Sequence, residues 1–218
     1  MTSAGLGIIF DMDDLLADTR SVWRTAEEKL FLAMGGEYDA ETAKLYSGRN
    51  AFDLAAVLYG LLKPSGPLRD YQLLLQRALV AEYARGEISP MPGAVGLVRR
   101  LNGLAPMAVA SGSPQEGIEK ALAALGIRGC FRVTVSSESV ANGKPAPEIF
   151  LKAAEMLGVP APRCLVFEDS LVGVRAAVAA GMRVFAVPSG DREEIQALAT
   201  RVFGSLEDVK VEDVLRDE

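Results

Sequence analysis

Apolar positions along the chain follow two patterns, short continuous runs and stripes at helical spacing. Short apolar runs that end in polar residues predict buried β-strands. The predicted strands are Leu6–Phe10, Met107–Ala110, Phe131–Val135, Arg163–Phe167 and Arg183–Val187, with Val202–Phe203 as a last edge strand. Helical stripes separate the strands from Met107 onwards. Repeated strand–helix alternation predicts an α/β fold with a doubly wound parallel sheet and right-handed crossovers.

The segment after the first strand has a different pattern, because it contains helical stripes and no convincing strand. Its first stripe includes Val22, Ala26 and Leu30, and two further apolar stripes follow. About 65 residues are too many for an ordinary connection between two elements, so we expect a small inserted helical domain. The expected domains are an α/β domain, residues 1–18 and 87–218, and the insert, residues 19–86.

Composition narrows the class of protein. The 218 residues are 50% hydrophobic, which supports a folded core, and they carry a formal net charge of −6. No lysine–arginine cluster is visible, so we expect no nucleic-acid surface. The sequence shows no apolar stretch of membrane-spanning length and no signal-peptide pattern. We therefore expect a cytoplasmic protein without a membrane partner, and no protein partner is evident.

The sequence contains no histidine. This excludes Ser-His-Asp and Cys-His triads and histidine metal ligands, and it leaves acid–base chemistry to carboxylates, lysine or tyrosine. Cys130 and Cys164 have no paired spacing and lie beside apolar runs. We expect them to be buried, inert thiols rather than a disulfide or a metal site.

Two carboxylates follow the first predicted strand directly. Asp11 and Asp13 are two residues apart, so both side chains leave an extended backbone on the same face. Crowded carboxylates repel each other unless a cation or a shared proton relieves the repulsion. The carboxyl end of a strand in an open parallel sheet is also where ligands bind. An ordinary polar turn is the alternative reading of this segment.

Three further strands lead into polar residues. Ser111 follows the second strand, Lys144 lies in the loop after the third, and Glu168 and Asp169 follow the fourth. Each alone has a structural explanation, such as a loop hydroxyl, a solvated charge or a helix cap. Together at one sheet edge, carboxylates suit Mg²⁺ and the lysine and hydroxyl suit phosphoryl oxygens. The set predicts phosphoryl transfer through an aspartyl-phosphate.

In this order the residues resemble the haloacid dehalogenase superfamily over essentially the whole chain. The segments that correspond to its four motifs are Asp11-Met-Asp13, Ser111, Gly143-Lys144-Pro145 and Phe167-Glu168-Asp169-Ser170. The run from Glu168 to Met182 is especially similar to the β-phosphoglucomutase-like and phosphatase subgroup. That resemblance implies a Rossmann-like core with a small all-helical cap domain inserted after the first strand.

The resemblance also implies catalytic roles. Asp11 corresponds to the nucleophile that attacks phosphorus. Asp13 corresponds to the acid that protonates the leaving oxygen and then to the base that activates water. Ser111, with Gly112, and Lys144 correspond to the groups that hold the phosphoryl oxygens.

The metal ligands are implied in the same way. Mg²⁺ is expected on the Asp11 side chain, the Asp13 backbone carbonyl and Asp169, with Glu168 close by or acting through water. The helical cap, residues 19–86, is expected to close over the site and to exclude water.

Several positions depart from relatives in ways that bear on function. Asp14 stands where the family usually has glycine. An aspartate there changes the turn or adds negative charge near the site. Asp13 is present, whereas the dehalogenases lack it, and this favours phosphoryl chemistry. Trp23 falls near the position of a cap histidine in the mutases. Lys29 and Lys44 lie in the cap, but nothing marks either as the Schiff-base lysine of phosphonate-cleaving relatives.

The sequence therefore predicts a Mg²⁺-dependent phosphatase that acts on a small phosphorylated metabolite, such as a sugar phosphate. The alternatives are a β-phosphoglucomutase-like phosphomutase and a non-catalytic relative that only binds. Substrate specificity is expected at Gly48 and Arg49 in a cap loop and at Gln115 beside the second motif.

Ser113, followed by Pro114, has the pattern of a helix N-cap.

Overall fold

The core of the protein is a parallel sheet of six strands. A computed structural model describes residues 5–43, 46, 49–85 and 88–216. In chain order the strands are β1 Gly7–Phe10, β2 Ala17–Asp18, β3 Ser89–Pro90, β4 Met107–Ser111, β5 Val133–Ser136, β6 Cys164–Glu168, β7 Arg183–Ala186 and β8 Arg201–Val202. The large sheet has the order β5-β4-β1-β6-β7-β8, and all its pairs are parallel.

Helices cover both faces of this sheet and follow most of its strands. They are α1 Arg20–Ala33, α2 Ala40–Ala43, α3 Ala51–Leu62, α4 Leu68–Ala84, α5 Ala94–Leu101, α6 Gln115–Ala124, α7 Glu148–Leu157, α8 Leu171–Ala179, α9 Arg192–Leu198 and α10 Val211–Leu215. The architecture confirms the prediction of a doubly wound parallel α/β fold. Within the described residues, no helix is both long enough and apolar enough to cross a membrane.

The strands are buried on both faces, which explains why they are continuous apolar runs. Alternate residues of β1 point into different clusters, with Phe10 in one and Ile9 in the other. The Phe10 ring stacks on Phe167 of β6 with 4.7 Å between ring centres. Both cysteines are free thiols. Cys164 is buried in the second cluster, as expected, whereas Cys130 is only partly buried.

The first strand lies at the centre of the sheet, between β4 and β6. From β1 the chain builds one half of the sheet through β4 and β5, and the other half through β6, β7 and β8. The order therefore reverses between β1 and β6, and open α/β sheets bind ligands at the carboxyl ends of strands beside such a reversal.

Helices α1 to α4 occupy the segment predicted as the cap. Helix α4 packs against both α1 and α3, and the buried side chains between them include Leu30, Leu58 and Leu79. The segment leaves and rejoins the core through an antiparallel pair of two-residue strands, β2 and β3, which the sequence did not reveal. The division into two domains at residues 18 and 87 stays a prediction.

Candidate active site

The ends of β1 and β6 and the loop after β5 bring three carboxylates and one lysine together. The Nζ atom of Lys144 donates to Asp11 Oδ1 and to Glu168 Oε1, each at 2.5 Å. Asp11, Glu168 and Asp169 each offer a carboxylate oxygen, and these three oxygens lie within 4.8 Å of one another. All four side chains are buried. The structure thus brings together four of the residues that the sequence predicted for the site.

The cluster carries more negative charge than its lysine can balance. Burial raises the pKa of Asp11 well above its usual range; Lys144 opposes that rise, whereas Glu168 adds to it. Burial and the neighbouring Glu168 likewise raise the pKa of Asp169. Burial alone would lower the pKa of Lys144, but Asp11 and Glu168 outweigh burial and raise it. Three carboxylates around one ammonium group leave a site that a divalent cation would neutralise.

Glu168 serves mainly to hold Lys144. Its Oε1 faces the lysine, and its Oε2 accepts from the backbone nitrogens of Asp169 and Ser170, both at 2.8 Å. The Ser170 hydroxyl adds a third donor to Oε2 at 3.0 Å. A β-carbon at Gly173 would overlap the Glu168 carboxylate, so the glycine makes room for it. Both Glu168 oxygens thus accept hydrogen bonds, and the carboxylate also belongs to the acidic group that could hold a metal ion.

Asp11 and Asp169 each have an oxygen that accepts no hydrogen bond from the described residues. Within the described part of the chain, Asp11 Oδ2 accepts none, and Asp169 accepts only from Ser189 Oγ, at 2.7 Å on Oδ2. A buried carboxylate oxygen without a partner is costly, because the group has lost its water. Hard carboxylate oxygens in this arrangement fit Mg²⁺, and the buried acidic cluster can hold a divalent metal.

Asp13 accepts hydrogen bonds from five side chains. The donors to Oδ1 are Thr19 Oγ1 at 2.8 Å, Trp23 Nε1 at 3.0 Å and Tyr83 OH at 2.5 Å, and those to Oδ2 are Ser111 Oγ at 2.7 Å and Ser113 Oγ at 2.8 Å. Burial and the nearby Asp13 raise the pKa of Tyr83, which keeps its phenol a donor. Three of the five donors come from residues 19–86. The network therefore links the cap segment to the predicted acid–base residue.

Ser113 does not cap α6, in contrast to the sequence prediction. Helix α6 begins at Gln115 after Pro114 and has no side-chain cap of its own. The Ser113 hydroxyl bonds Asp13 instead, while Glu138 Oε2 accepts from the Gln115 backbone nitrogen at 2.9 Å. Because Glu138, in the loop after β5, caps the first turn of α6, the Ser113 hydroxyl is available to bond Asp13.

A cavity of about 350 Å³ opens above the carboxylate cluster. The α/β core contributes Asp11, Asp13, Asp14, Gly112, Lys144, Asp169, Ser170 and Ser189 to its lining. The cap segment contributes Arg20, Trp23, Arg24, Glu27, Tyr38, Ala43, Tyr46, Arg49 and Leu54. The cavity thus lies between core and cap, and its size is that of a small-molecule site.

The backbone at Asp14 has a conformation that suits glycine. Asp14 has a φ of 58°, in the left-handed region that glycine adopts most readily. Its nitrogen donates to the Ala17 carbonyl at 2.8 Å, and its Oδ1 accepts from the Thr19 nitrogen at 3.2 Å. Burial, with a smaller contribution from Asp13, raises the pKa of Asp14 to about 6. The aspartate keeps the turn and adds a partly desolvated acid to the cavity wall.

Two glycines of the core allow the cap to approach closely. Asn50 caps α3 by accepting from the nitrogens of Phe52 and Asp53 at 2.9 and 3.0 Å. A β-carbon at Gly112 would lie 3.2 Å from the Asn50 Cα atom, and one at Gly143 would overlap the Asn50 side chain. The first turn of α3 is therefore in direct contact with the second and third motifs.

The predicted specificity residues have different positions. Arg49 lines the cavity, and Gly48 lies outside the described residues. Gln115 is not among the residues that line this cavity; its amide donates to Thr134 at 2.8 Å and Glu119 at 3.2 Å beneath α6. The hydroxyl of Ser111 bonds Asp13, so in this arrangement it faces the acid–base residue. Lys29 in the cap pairs with Glu82 at 2.6 Å, and Lys44 lies outside the described residues.

Other groups at the site carried little sequence signal. Tyr83 lies 70 residues from Asp13, and Ser189 follows a strand outside the predicted motifs. Glu27 had a usable signal, because it lies at helical spacing from Leu30 and Phe31 and hence on the buried face of α1. A carboxylate within an apolar stripe deserved consideration as a cavity residue.

Comparison with known proteins gives a consistent assignment. The sequence model of the haloacid dehalogenase-like hydrolase family matches residues 6–181. The fructose-1-phosphate phosphatase YqaB of Escherichia coli (strain K12) is 34% identical over 180 residues, covering 81% of this chain and 93% of that protein. A probable pseudouridine-5'-phosphatase of Drosophila melanogaster is 36% identical over 216 residues, covering 94% of this chain and 91% of that protein.

A solved structure shows the same architecture. The crystal structure of CbbY from Rhodobacter sphaeroides in complex with phosphate superposes on this chain with a TM-score of 0.85 and 30% identity. The match covers 97% of this chain and 99% of CbbY. The likeness therefore extends over the α/β core and the helical segment together.

Proposed function

The chain belongs to the haloacid dehalogenase-like hydrolases, and on that premise we propose that it is a Mg²⁺-dependent phosphatase of small phosphomonoesters. The proposed substrates are sugar phosphates or similar metabolites, and the proposed intermediate is a phosphoryl group on Asp11. The family and the enzyme class, a hydrolase with phosphatase relatives, agree with the sequence prediction.

The observation that carries the proposal is the state of the two buried carboxylates at the cavity floor. Asp11 and Asp169 each have an oxygen without a hydrogen bond within the described residues, next to the ammonium group of Lys144. A purely structural cluster would be expected to satisfy these oxygens internally. Oxygens left open toward a cavity are suited to a cation and to a reacting phosphoryl group.

The chain's own residues account for both halves of hydrolysis. Asp11 attacks phosphorus, the ester P–O bond breaks, and Asp13 gives a proton to the leaving oxygen. Asp13 then takes a proton from a water molecule, whose oxygen attacks the phosphorus and releases phosphate, restoring Asp11. Because both Asp13 oxygens are engaged by hydroxyls and the indole, Asp13 exchanges part of this network for the leaving oxygen when it reacts.

The positively charged groups have supporting roles. Lys144 holds the nucleophile in place and offers a point charge to the phosphoryl oxygens. Asp11 and Asp169, with the Asp13 backbone carbonyl that the family resemblance implies, would hold Mg²⁺. The ion would supply a Lewis acid that offsets repulsion between nucleophile and phosphate. The helices of the cap segment exclude water from the cavity.

The test is phosphate release from sugar phosphates, nucleotide phosphates and p-nitrophenyl phosphate, with Mg²⁺ and with EDTA. We expect release that depends on Mg²⁺ and is lost with EDTA. Absence of release from every ester by the folded protein would refute the proposal. Release that persists at full rate in EDTA would remove the metal from it.

The covalent step has its own test. Asp11→Asn is expected to lower turnover by at least about 1,000-fold, because it removes the nucleophile. Acid-quenched wild-type protein should gain the mass of one phosphoryl group, and the D11N variant should not. Asp70→Asn, an exposed aspartate on α4, is the matched control and should retain activity. Substantial turnover by D11N would exclude Asp11 as nucleophile.

The two alternatives have less support from the site. The described cap segment presents Trp23, which bonds Asp13, and the sequence has no histidine, which disfavours the mutase reading. Asp14 keeps the turn after the first motif intact, which removes the main reason to expect a non-catalytic relative. Isomer formation without phosphate release, dependent on glucose 1,6-bisphosphate, would instead favour a mutase.

A further inference from the structure

Glu27 is a buried carboxylate on the cap side of the cavity, and the described residues give it only one weak hydrogen bond. It is 8% exposed and lines the cavity. Its one hydrogen bond within the described residues comes from the Tyr46 hydroxyl at 3.4 Å, well beyond the usual O–H···O range. Its Oε1 accepts no hydrogen bond from any described residue. A ligand bound in the cavity can supply the missing donors.

A second buried glutamate of the cap shows what a structural carboxylate looks like here. Glu82 on α4 is 6% exposed, pairs with Lys29 at 2.6 Å and with Arg85 at 2.8 Å, and does not line the cavity. The chain therefore supplies cations to a buried carboxylate where the fold requires one. Among the described residues, Glu27 has no cationic partner of this kind.

The charged residues of the cap segment that line the cavity with Glu27 indicate which ligands fit there. Arg20 forms an ion pair with Asp18, and Arg24 pairs with Glu28. Arg49 lines the same cavity and forms no ion pair with the described residues. The cap segment also lines the cavity with aromatic and apolar side chains, which are those of Trp23, Tyr38, Tyr46, Ala43 and Leu54. The cap side of the cavity thus combines a strong hydrogen-bond acceptor, Glu27, and a strong donor, Arg49, with aromatic and apolar side chains.

This combination fits hydroxyl groups better than a second anion or an ammonium group. A hydroxyl donates to a carboxylate and accepts from a guanidinium group, so adjacent hydroxyls satisfy both. A second phosphate would pair with Arg49 but would be repelled by Glu27 in a low-dielectric space. An ammonium group would pair with Glu27 but would be repelled by Arg49.

Building on the proposed phosphatase function, we propose that Glu27 is a specificity-determining residue that accepts hydrogen bonds from the hydroxyls of an uncharged polyhydroxylated leaving group. The preferred substrates are then monophosphates of sugars or sugar alcohols. Bisphosphates and phosphorylated amino sugars are poorer substrates. Glu27 repels the second phosphate of a bisphosphate, and Arg49 repels the ammonium group of an amino sugar.

The test compares the wild-type protein with Glu27→Gln. For each protein, kcat/KM for fructose 1-phosphate and sorbitol 6-phosphate is divided by kcat/KM for p-nitrophenyl phosphate, which has no hydroxyls. We expect E27Q to lower this ratio by about 10-fold to 100-fold, the range for hydrogen bonds to charged groups. The relative rate on fructose 1,6-bisphosphate should rise in E27Q, since the repulsion is gone.

Glu82→Gln is the matched control, because it neutralises an equally buried carboxylate of the cap outside the cavity. Its ratio should stay within about twofold of wild type, as expected for a distant site. Should E27Q fail to fold, Glu27→Asp retains the charge but withdraws the carboxylate from the cavity, and it should also lower the ratio.

The outcomes separate this proposal from the one on which it rests. An unchanged ratio in a folded Glu27 variant, or a wild-type preference for the bisphosphate or an amino-sugar phosphate, overturns the role of Glu27. In each of those cases Mg²⁺-dependent hydrolysis of p-nitrophenyl phosphate leaves the phosphatase proposal standing. If the wild-type protein releases phosphate from no ester, both proposals fail.

Discussion

Replacing Glu27 by glutamine is expected to stabilise the protein at pH 8 much more than at pH 5. Burial is the largest cause that raises the pKa of Glu27, from 4.5 to about 7. Between these values the folded chain keeps a proton that the unfolded chain has released. The folded state thus binds more protons there, so the free energy of unfolding falls as the pH rises.

The size of the effect follows from the two pKa values. Each pH unit crossed between them costs the wild-type protein about 1.4 kcal/mol, and glutamine avoids this cost because it does not ionise. The stability advantage of E27Q should grow by roughly 2–3 kcal/mol from pH 5 to pH 8. For a chain of this length that corresponds to about 5–10 °C in the melting temperature.

The assay is urea or thermal unfolding of both proteins at the two pH values. Subtracting one protein from the other removes the titration of all shared groups. Glu28→Gln is the control, because Glu28 is exposed on the same helix, and it should change stability by less than about 0.5 kcal/mol at both pH values. A difference between E27Q and wild type that does not vary with pH would refute the desolvation of Glu27.

Three further substitutions test other parts of the site. Asp14→Gly should raise the free energy of unfolding by about 1 kcal/mol at pH 8, because glycine adopts the positive φ freely and a desolvated acid is removed; an unchanged melting temperature would contradict this. Tyr83→Phe removes a donor to Asp13 and should lower kcat on p-nitrophenyl phosphate by about tenfold with little change in KM; an effect on KM alone would argue against a role in positioning Asp13. Gly143→Ala should raise KM at least about fivefold, because its β-carbon would displace the asparagine that caps α3, whereas Gly129→Ala, in open space, should not; equal KM values would show that this contact is dispensable.

The sequence predicted those parts of the molecule that depend on local pattern. Asp11, Lys144 and Asp169 were assigned to the site because apolar runs reveal strand ends, and parallel strands bring their ends to one edge. The two-residue strands β2 and β3 are too short to give a periodic signal. Tyr83 gives no local signal of its role, because its contact with Asp13 spans 70 residues of chain.

Ser113 shows a second kind of limit. A serine before a proline and a helical stripe has the pattern of an N-cap, and the same hydroxyl can instead bond a carboxylate on another strand. The choice depends on whether another group satisfies the first turn of α6. Glu138 does so from the loop after β5. Only the tertiary structure contains that competitor.

The carboxylates whose pKa values are raised by burial are concentrated around the cavity, which supports a functional role for the whole cavity. Asp11, Asp14, Glu27 and Asp169 have clearly raised pKa values, burial is the largest cause for each, and all four line the cavity. The carboxylates with clearly lowered pKa values, which are bonded to arginine or to local amides, are Asp18, Glu119, Glu148 and Asp213. None of these lines the cavity. Desolvated acids reduce stability, so their concentration in one place is best explained by ligands that relieve them. A bound cation would relieve Asp11 and Asp169, and Glu27 lies on the opposite, cap side, where hydroxyl donors from a substrate would do the same.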